Sequence, residues 1–174
     1  MNDYQRMIET FHAELGIPRS FADACKIPLQ SEAVDLVCIG EDIFGREQYL
    51  TPDAGDHWQL MRTAAFENNI ELQIISAFRS VNYQCELIRN KLEQGQSIDD
   101  ILTVNAAPGY SEHHTGQALD IGTPGCKPLT EAFEDTPAFT WLQENAHQYG
   151  FKMSYPKNNS YGIIYEPWHW SFHG

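Results

Sequence analysis

The chain of 174 residues is 42% hydrophobic and 12% aromatic, which suffices for one domain with a buried core and excludes a disordered polymer. Eleven basic residues against 24 acidic ones give a formal net charge of −13, which would repel phosphate backbones and anionic lipid surfaces. We therefore expect neither nucleic acid nor a membrane as a partner.

Apolar residues at helical spacing, together with capping residues, predict four amphipathic helices. They span residues 4–15, 52–69, 83–94 and 137–150. Thr51 is expected to precede the second helix and Asn82 to cap the third, while Leu142 should face the core from the fourth.

Short apolar or alternating segments predict strands between these helices. They cover residues 34–39, 71–78 and 117–122, and two more lie within 161–172 and break at Pro167. Helices and strands are mixed without strict βαβ alternation. The expected fold is therefore α+β, a single domain with a small, mainly antiparallel sheet flanked by helices.

The four cysteines and the first residues bear on the compartment. Cys25, Cys38, Cys85 and Cys126 form no CxxC pair, so we expect mostly buried free thiols, with two disulfides as the alternative. The start MNDYQRMIETFHAELGIP lacks the basic and apolar regions of a secretory signal. As written, the chain is expected in the cytoplasm; the alternative is the cell envelope, if a leader has been removed.

The stretch GYSEHHTGQALDIG (109–122) and the segment EPWHW near the chain end suggest a metal site. Asp120 lies in an apolar strand, where a carboxylate needs a cation or a hydrogen-bonding partner. His113, Asp120 and His169 form a three-ligand set suited to zinc, with a fourth position open to water. Glu166 is close enough in sequence to act as a base on that water. The alternative is a polar surface loop with weak metal affinity.

Two motifs are similar to those of a known family. SEHHTGQALD matches the pattern SxHxxGxAxD and EPWH matches ExWH of the zinc D-alanyl-D-alanine carboxypeptidases and dipeptidases. This peptidase group also resembles lysostaphin-type enzymes and the amino-terminal domain of hedgehog proteins. SAFRSVNYQ looks like the arginine segment of the family, so the resemblance covers roughly residues 71–172. It implies a hedgehog/DD-peptidase-like fold for a domain of residues 1–174, with 1–70 as an accessory region packed on a catalytic core of 71–174.

The resemblance implies a role for each matching residue. One Zn²⁺ per chain would be held by His113, Asp120 and His169. Glu166 would be the catalytic base, and Arg79 would stabilise the oxyanion or bind the substrate. Ser111 and Gln84 would line the binding site.

Some of these residues have simpler interpretations. Arg79 could be a surface cation, although its place directly after an apolar strand favours a cleft. His114 is expected to face solvent or to support the site without binding metal. Ser111 could have no role beyond shaping its loop through a local hydrogen bond. Trp168 and Trp170 are expected to pack in the core.

The implied activity is hydrolysis of D-alanine-containing peptidoglycan peptides by a monomeric zinc carboxypeptidase. Many members follow the tryptophan–histidine pair with an aromatic residue, an arginine and another aromatic residue, whereas here Ser171 and Phe172 follow Trp170. A D-Ala-D-Ala dipeptidase, a phage-type endopeptidase that cuts within the stem peptide and a zinc-containing binding module without turnover stay open. Glu166 argues against the last, and the lack of a basic wall-binding segment argues against the endopeptidase.

Overall fold

The computed structural model describes residues 2–174, and within them it has six α-helices and six β-strands. The helices are Asp3–Glu14 (α1), Phe21–Ala24 (α2), Pro52–Glu67 (α3), Val81–Glu93 (α4), Ile98–Val104 (α5) and Pro137–Asn145 (α6). The strands are Val37–Glu41 (β1), Glu47–Leu50 (β2), Gln73–Ser76 (β3), Ala118–Gly122 (β4), Phe151–Met153 (β5) and His169–Phe172 (β6). Short 3₁₀ helices cover Glu112–Thr115, Glu131–Asp135 and Ala146–Tyr149.

The strands form two antiparallel sheets. β1 and β2 make a hairpin, and the other four strands form a sheet in the order β3-β4-β6-β5. All five residues of β4 are buried, because this strand pairs on both edges and its faces are covered. The structure thus confirms an α+β domain with small antiparallel sheets flanked by helices.

The main core lies between the four-stranded sheet and helices α3 and α6. Trp58 and Met61 of α3 pack with Leu119 of β4 and Leu142 of α6, and all four are fully buried. Pro52 occupies the first turn of α3, where its missing N–H costs no helical hydrogen bond. α3 therefore belongs to the core, and the division of the chain at residue 70 stays a prediction.

A second core forms where α1 packs near α4 and α5. Ile8 of α1 and Leu15, which caps the end of that helix, are buried together with Ile88 of α4 and Ile101 of α5. Asn2 fixes the start of α1 through a capping box, in which its side chain accepts from Gln5 N at 2.8 Å. The expected first helix is confirmed.

Several local expectations are corrected by the structure. Ser80, not Asn82, caps α4: its hydroxyl accepts from Tyr83 N at 3.1 Å, and Asn82 lies inside the helix. Only one of the two strands expected within 161–172 forms, as β6, whereas Ile163 and Ile164 lie in a loop that lines a cleft. β1 begins at Val37 rather than at residue 34. α2, α5, β2 and β5 were not expected.

The cysteines are free, but the expectation that most are buried is wrong. Cys85 is buried, Cys25 and Cys126 are partly exposed, and Cys38 is exposed. The packing role of the tryptophans is confirmed, because Trp168 and Trp170 are both buried in the main core. Among residues 2–174, no helix combines the length and the apolar character needed to cross a membrane.

Candidate metal centre

The predicted metal ligands meet at the two central strands of the four-stranded sheet. Asp120 of β4 is the cross-strand partner of His169 in β6, and His113 lies in the 3₁₀ helix that precedes β4. Gly116 connects this helix to the strand with a φ of +65°, a conformation that favours glycine. A Cβ at Gly116 would also lie 2.9 Å from the Leu36 side chain. The glycine of the motif is thus required by the turn that brings His113 to Asp120.

The three side chains converge closely enough to share one cation. His113 Nε2 lies 3.2 Å from Asp120 Oδ2, and His169 Nδ1 lies 3.0 Å from Asp120 Oδ1. Ligand atoms from all three residues fall within 4.8 Å of one another, and all three residues are buried. Tetrahedral ligands about 2.0–2.1 Å from zinc are roughly 3.3 Å apart, so these separations suit such an ion.

Hydrogen bonds outside the cluster orient the two imidazoles. His113 Nδ1 donates to the Ala77 carbonyl at 2.6 Å, so in a neutral ring the Nε2 lone pair faces Asp120. That lone pair then meets a carboxylate oxygen 3.2 Å away, a repulsive contact unless a cation lies between them. Since two nitrogens and a carboxylate are donors that zinc prefers, the residues fit a zinc ion.

Burial and neighbouring charges shift the pKa values of the cluster in different directions. Burial lowers the pKa of His113 to about 4, and the Arg79 charge acts in the same direction. Burial also disfavours the charged form of His169, but hydrogen bonds to Asp120 and Glu112 outweigh it and raise its pKa to about 10. Burial likewise opposes ionisation of Asp120, yet its two histidine neighbours hold its pKa far below the usual range. A deprotonated Asp120 beside a neutral His113 is ready to bind a cation.

Glu166 lies beside the cluster and is not part of the ligand set. Its Oε2 is 3.9 Å from His169 Nδ1, and its side chain is 15% exposed. Burial raises the pKa of Glu166 to about 7, with the negative charge of Asp120 adding to the effect. A carboxyl with a pKa near neutrality can both accept and return a proton at physiological pH.

Arg79 follows β3 and lines the same cleft, as expected from its position after an apolar strand. Its Nη1 donates to Gln84 Oε1 at 3.2 Å, and the Gln84 side chain is fixed in turn by a bond from Nε2 to the Ala106 carbonyl at 2.8 Å. Within the described residues 2–174, the buried Arg79 Nε has no acceptor. Gln84 lies behind Arg79 and positions it, while the guanidinium retains a free donor.

Ser111 and His114 flank the motif in different ways. Ser111 is buried and lines the cleft, and its side chain does not cap the 3₁₀ helix that follows. His114 is fully buried: its Nδ1 donates to the Arg79 carbonyl at 2.7 Å, and its Nε2 accepts from Gly109 N at 3.1 Å. His114 therefore connects the motif to the arginine segment through hydrogen bonds, and it is not part of the ligand cluster.

Glu112 was not identified from the sequence, yet it contacts a predicted ligand. Its Oε2 accepts from His169 Nε2 at 2.9 Å and from the Ser154 hydroxyl at 2.6 Å. Hydrogen bonding to His169 and Ser154 lowers the pKa of Glu112, although burial opposes this. One feature of the sequence could have identified it. A metal-binding histidine needs a hydrogen-bond acceptor for its second nitrogen, and Glu112 is an acidic residue directly next to the predicted ligand His113.

The cleft that contains these residues has a volume of about 450 Å³. Apolar side chains at its rim, among them Phe44, Leu129 and Ile164, surround the polar centre. A larger cavity of about 710 Å³ lies against α1 and is lined by Ile8, His12 and other residues outside the ligand cluster. We assign the chemistry to the smaller cleft because it contains the ligand set His113, Asp120 and His169 together with Glu166 and Arg79.

A His–Asp–His set beside a carboxyl and an arginine, in an α+β domain, has the layout of a mononuclear metal-dependent hydrolase. The sequence model of the VanY family, described as D-alanyl-D-alanine carboxypeptidase, matches residues 47–174. The chain therefore belongs to the VanY family of D-alanyl-D-alanine carboxypeptidases. This match confirms the resemblance and begins at residue 47, earlier than the residue 71 expected from the motifs.

Individual proteins show the same relationship. The chain is 35% identical over 133 residues to YodJ of Bacillus subtilis (strain 168), which carries a provisional carboxypeptidase name; the match covers 74% of this chain and 48% of YodJ. The chain thus spans about half the length of that relative.

Solved structures extend the comparison to the fold. One of them is the LdcB LD-carboxypeptidase, whose structure reveals the molecular basis of its peptidoglycan recognition. It is 35% identical to this chain and superposes with a TM-score of 0.74, and the match covers 84% of this chain and 72% of LdcB. A VanY D,D-pentapeptidase variant in complex with Zn(II) is 25% identical with a TM-score of 0.63, over 85% and 83% of the two chains.

Proposed function

We propose that the chain is a zinc-dependent carboxypeptidase that removes a terminal D-alanine from peptidoglycan stem peptides. Membership of the VanY family supports the reaction, and the similarity to a Zn(II)-bound VanY supports the metal. The similarity to LdcB supports a peptidoglycan-derived substrate. The monomeric state and the cytoplasmic location stay predictions from the sequence.

In this proposal one zinc ion would be held by His113 Nε2, the Asp120 carboxylate and His169 Nδ1, the atoms that face one another across the cluster. When bound, zinc acts as a Lewis acid that lowers the pKa of water and polarises a carbonyl. The hydrogen bond from His113 Nδ1 to Ala77 keeps Nε2 deprotonated and directed inward.

Glu166 moves the proton. Its carboxylate accepts a proton from the attacking water, and the resulting acid donates that proton to the amine of the departing residue. Its largely buried position beside His169, which raises its pKa to about 7, suits both transfers at neutral pH. The backbone also fixes Glu166, because its N–H donates to the Tyr155 carbonyl at 3.0 Å.

The position of Arg79 in the cleft supports the choice of a carboxypeptidase. Arg79 is only partly buried and lines the cleft, so a substrate carboxylate that enters the cleft can form charge-assisted hydrogen bonds with its guanidinium. The planar fork of arginine suits a carboxylate, whereas an internal peptide bond offers no such anion. Gln84 keeps this fork in place, and Ser111 lines the cleft beside it.

A matched pair of substrates tests this assignment. One is a stem pentapeptide with a free terminal carboxylate, and the other is the same peptide as its carboxy-terminal amide. Loss of the anion should lower kcat/KM by about 10²–10³, the range for a lost charge-assisted bidentate contact of roughly 3–4 kcal/mol.

Mass spectrometry of the products shows which bond is cut. Removal of a single terminal alanine from the free acid, with slow cleavage of the amide, supports the carboxypeptidase. Equal cleavage of both peptides, or a product cut within the stem, would instead support the endopeptidase.

A further inference from the structure

The carboxylate of Glu112 connects the predicted ligand His169 to a chain of hydrogen bonds that continues to His173. His169 Nε2 lies 2.9 Å from Glu112 Oε2, and the Ser154 hydroxyl lies 2.6 Å from the same oxygen. Ser154 Oγ is 2.9 Å from Ser171 Oγ, which is 3.0 Å from His173 Nε2. His173 is exposed, so the chain leads from the buried cluster to solvent.

Counting hydrogens fixes the direction of every bond in this chain. An ionised carboxylate only accepts, and a hydroxyl has one hydrogen. Ser154 donates its hydrogen to Glu112, so it accepts from Ser171, and Ser171 in turn accepts from His173 Nε2. All donors therefore point towards Glu112, and they stabilise its negative charge.

The position of Glu112 determines which nitrogen of His169 faces the metal site. Glu112 contacts Nε2, whereas Asp120 contacts Nδ1 on the other side of the same ring. An acceptor at Nε2 keeps a hydrogen there, so Nδ1 is the nitrogen that gives up its proton when a metal binds. The ring is also packed against Tyr155, with centroids 4.9 Å apart, so its plane is fixed.

We propose that Glu112 is a positioning residue that holds His169 in its metal-binding tautomer, and that Ser154 and Ser171 hold Glu112. Ser171 occupies the position at which the sequence departs from the arginine of many family members, and it has a place in this chain of bonds. The inference rests on the proposed zinc site, but it concerns zinc affinity and not hydrolysis.

The test is a zinc dissociation constant, measured without substrate by competition with a chromophoric chelator. Glu112→Ala should weaken zinc binding by about 10- to 100-fold, the usual effect of losing the partner of a ligating histidine. Glu112→Gln retains an acceptor but loses the charge, so we expect a smaller loss, of about 3- to 10-fold. Ser154→Ala should also weaken binding, by less than Glu112→Ala.

Glu131→Ala is the matched control, since Glu131 also begins a 3₁₀ helix but is exposed. Its dissociation constant should equal that of the wild type. At saturating zinc, Glu112→Gln should recover most of the wild-type kcat with little change in KM, as a residue acting through His169 would allow.

Two results would overturn the proposal. One is a wild-type zinc affinity in both Glu112 variants, and the other is an equal loss in the Glu131→Ala control. Should Glu112→Ala fail to fold, as judged by thermal melting, the folded Glu112→Gln variant decides alone, and unchanged affinity there also refutes the role. A wild type that binds zinc but releases no D-alanine would contradict the proposed function and leave this test intact.

Discussion

Replacing Glu166 by glutamine should strongly lower activity and, in the metal-free protein, increase stability. The substitution keeps the size of the side chain and removes its ability to ionise. Loss of a positioned general base should lower kcat by about 10²–10⁴, with a much smaller change in KM. Zinc content should stay at the wild-type level, because Glu166 lies outside the ligand set.

The stability change follows from the pKa of Glu166, which burial raises from 4.5 to about 7. A raised carboxyl pKa means that the folded protein binds the proton more tightly than the unfolded chain does. Its contribution to stability is therefore present below pH 4.5 and is lost as the pH rises to about 7. The full loss is about 3 kcal/mol, at about 1.4 kcal/mol per pKa unit.

Thermal melting in the presence of a chelator measures this effect. At pH 8 Glu166→Gln should melt about 6–12 °C above the wild type, and the difference should shrink towards pH 5. Glu86→Gln, an exposed position on α4, is the control and should show no such trend. Wild-type rates in Glu166→Gln would show that Glu166 is not the base. Equal melting temperatures of the two proteins at pH 8 would show that burial does not destabilise the ionised form of Glu166.

Three further predictions concern the metal, the arginine and the core. Elemental analysis should find about one zinc per wild-type chain and almost none in the double variant His113→Ala/His169→Ala; full occupancy in the double variant would place the metal elsewhere. Arg79→Lys should lower kcat/KM by about one to three orders of magnitude, while Arg89→Lys on the exposed face of α4 should not. An unchanged kcat/KM in Arg79→Lys would show that the guanidinium contacts neither the substrate nor the oxyanion. Leu142→Ala should lower the free energy of unfolding by about 2–5 kcal/mol, because Leu142 is fully buried. Denaturant unfolding measures this change, and a loss of less than about 1 kcal/mol would contradict the packing of α6.

The metal set could be predicted because its sequence pattern has direct physical causes. Asp120 in an apolar strand needed a cation or a strong hydrogen-bonding partner, and Gly116 marked the turn that precedes the strand. What the sequence could not supply is the register that places His169 opposite Asp120. That pairing joins residues far apart in the chain and depends on the packing of the whole sheet.

Each error has a physical reason. Ser80 and Asn82 are both good capping residues, and propensity alone does not distinguish them; the structure favours Ser80 because its hydroxyl reaches Tyr83 N. Ile163 and Ile164 are β-branched, which favoured a strand, but they find no pairing partner and line the cleft. Glu112 was missed because its contact with His169 is tertiary.

The central claim is that His113, Asp120 and His169 hold one metal ion, with Glu166 beside it as the base. Anomalous diffraction at the zinc edge, from crystals of the zinc-loaded protein, tests it most directly. We predict one strong peak per chain, bounded by His113 Nε2, the Asp120 carboxylate and His169 Nδ1, with Glu166 near the ion but not ligating it. Stoichiometric zinc with no peak among these three residues, or a peak coordinated without His169, would contradict the account.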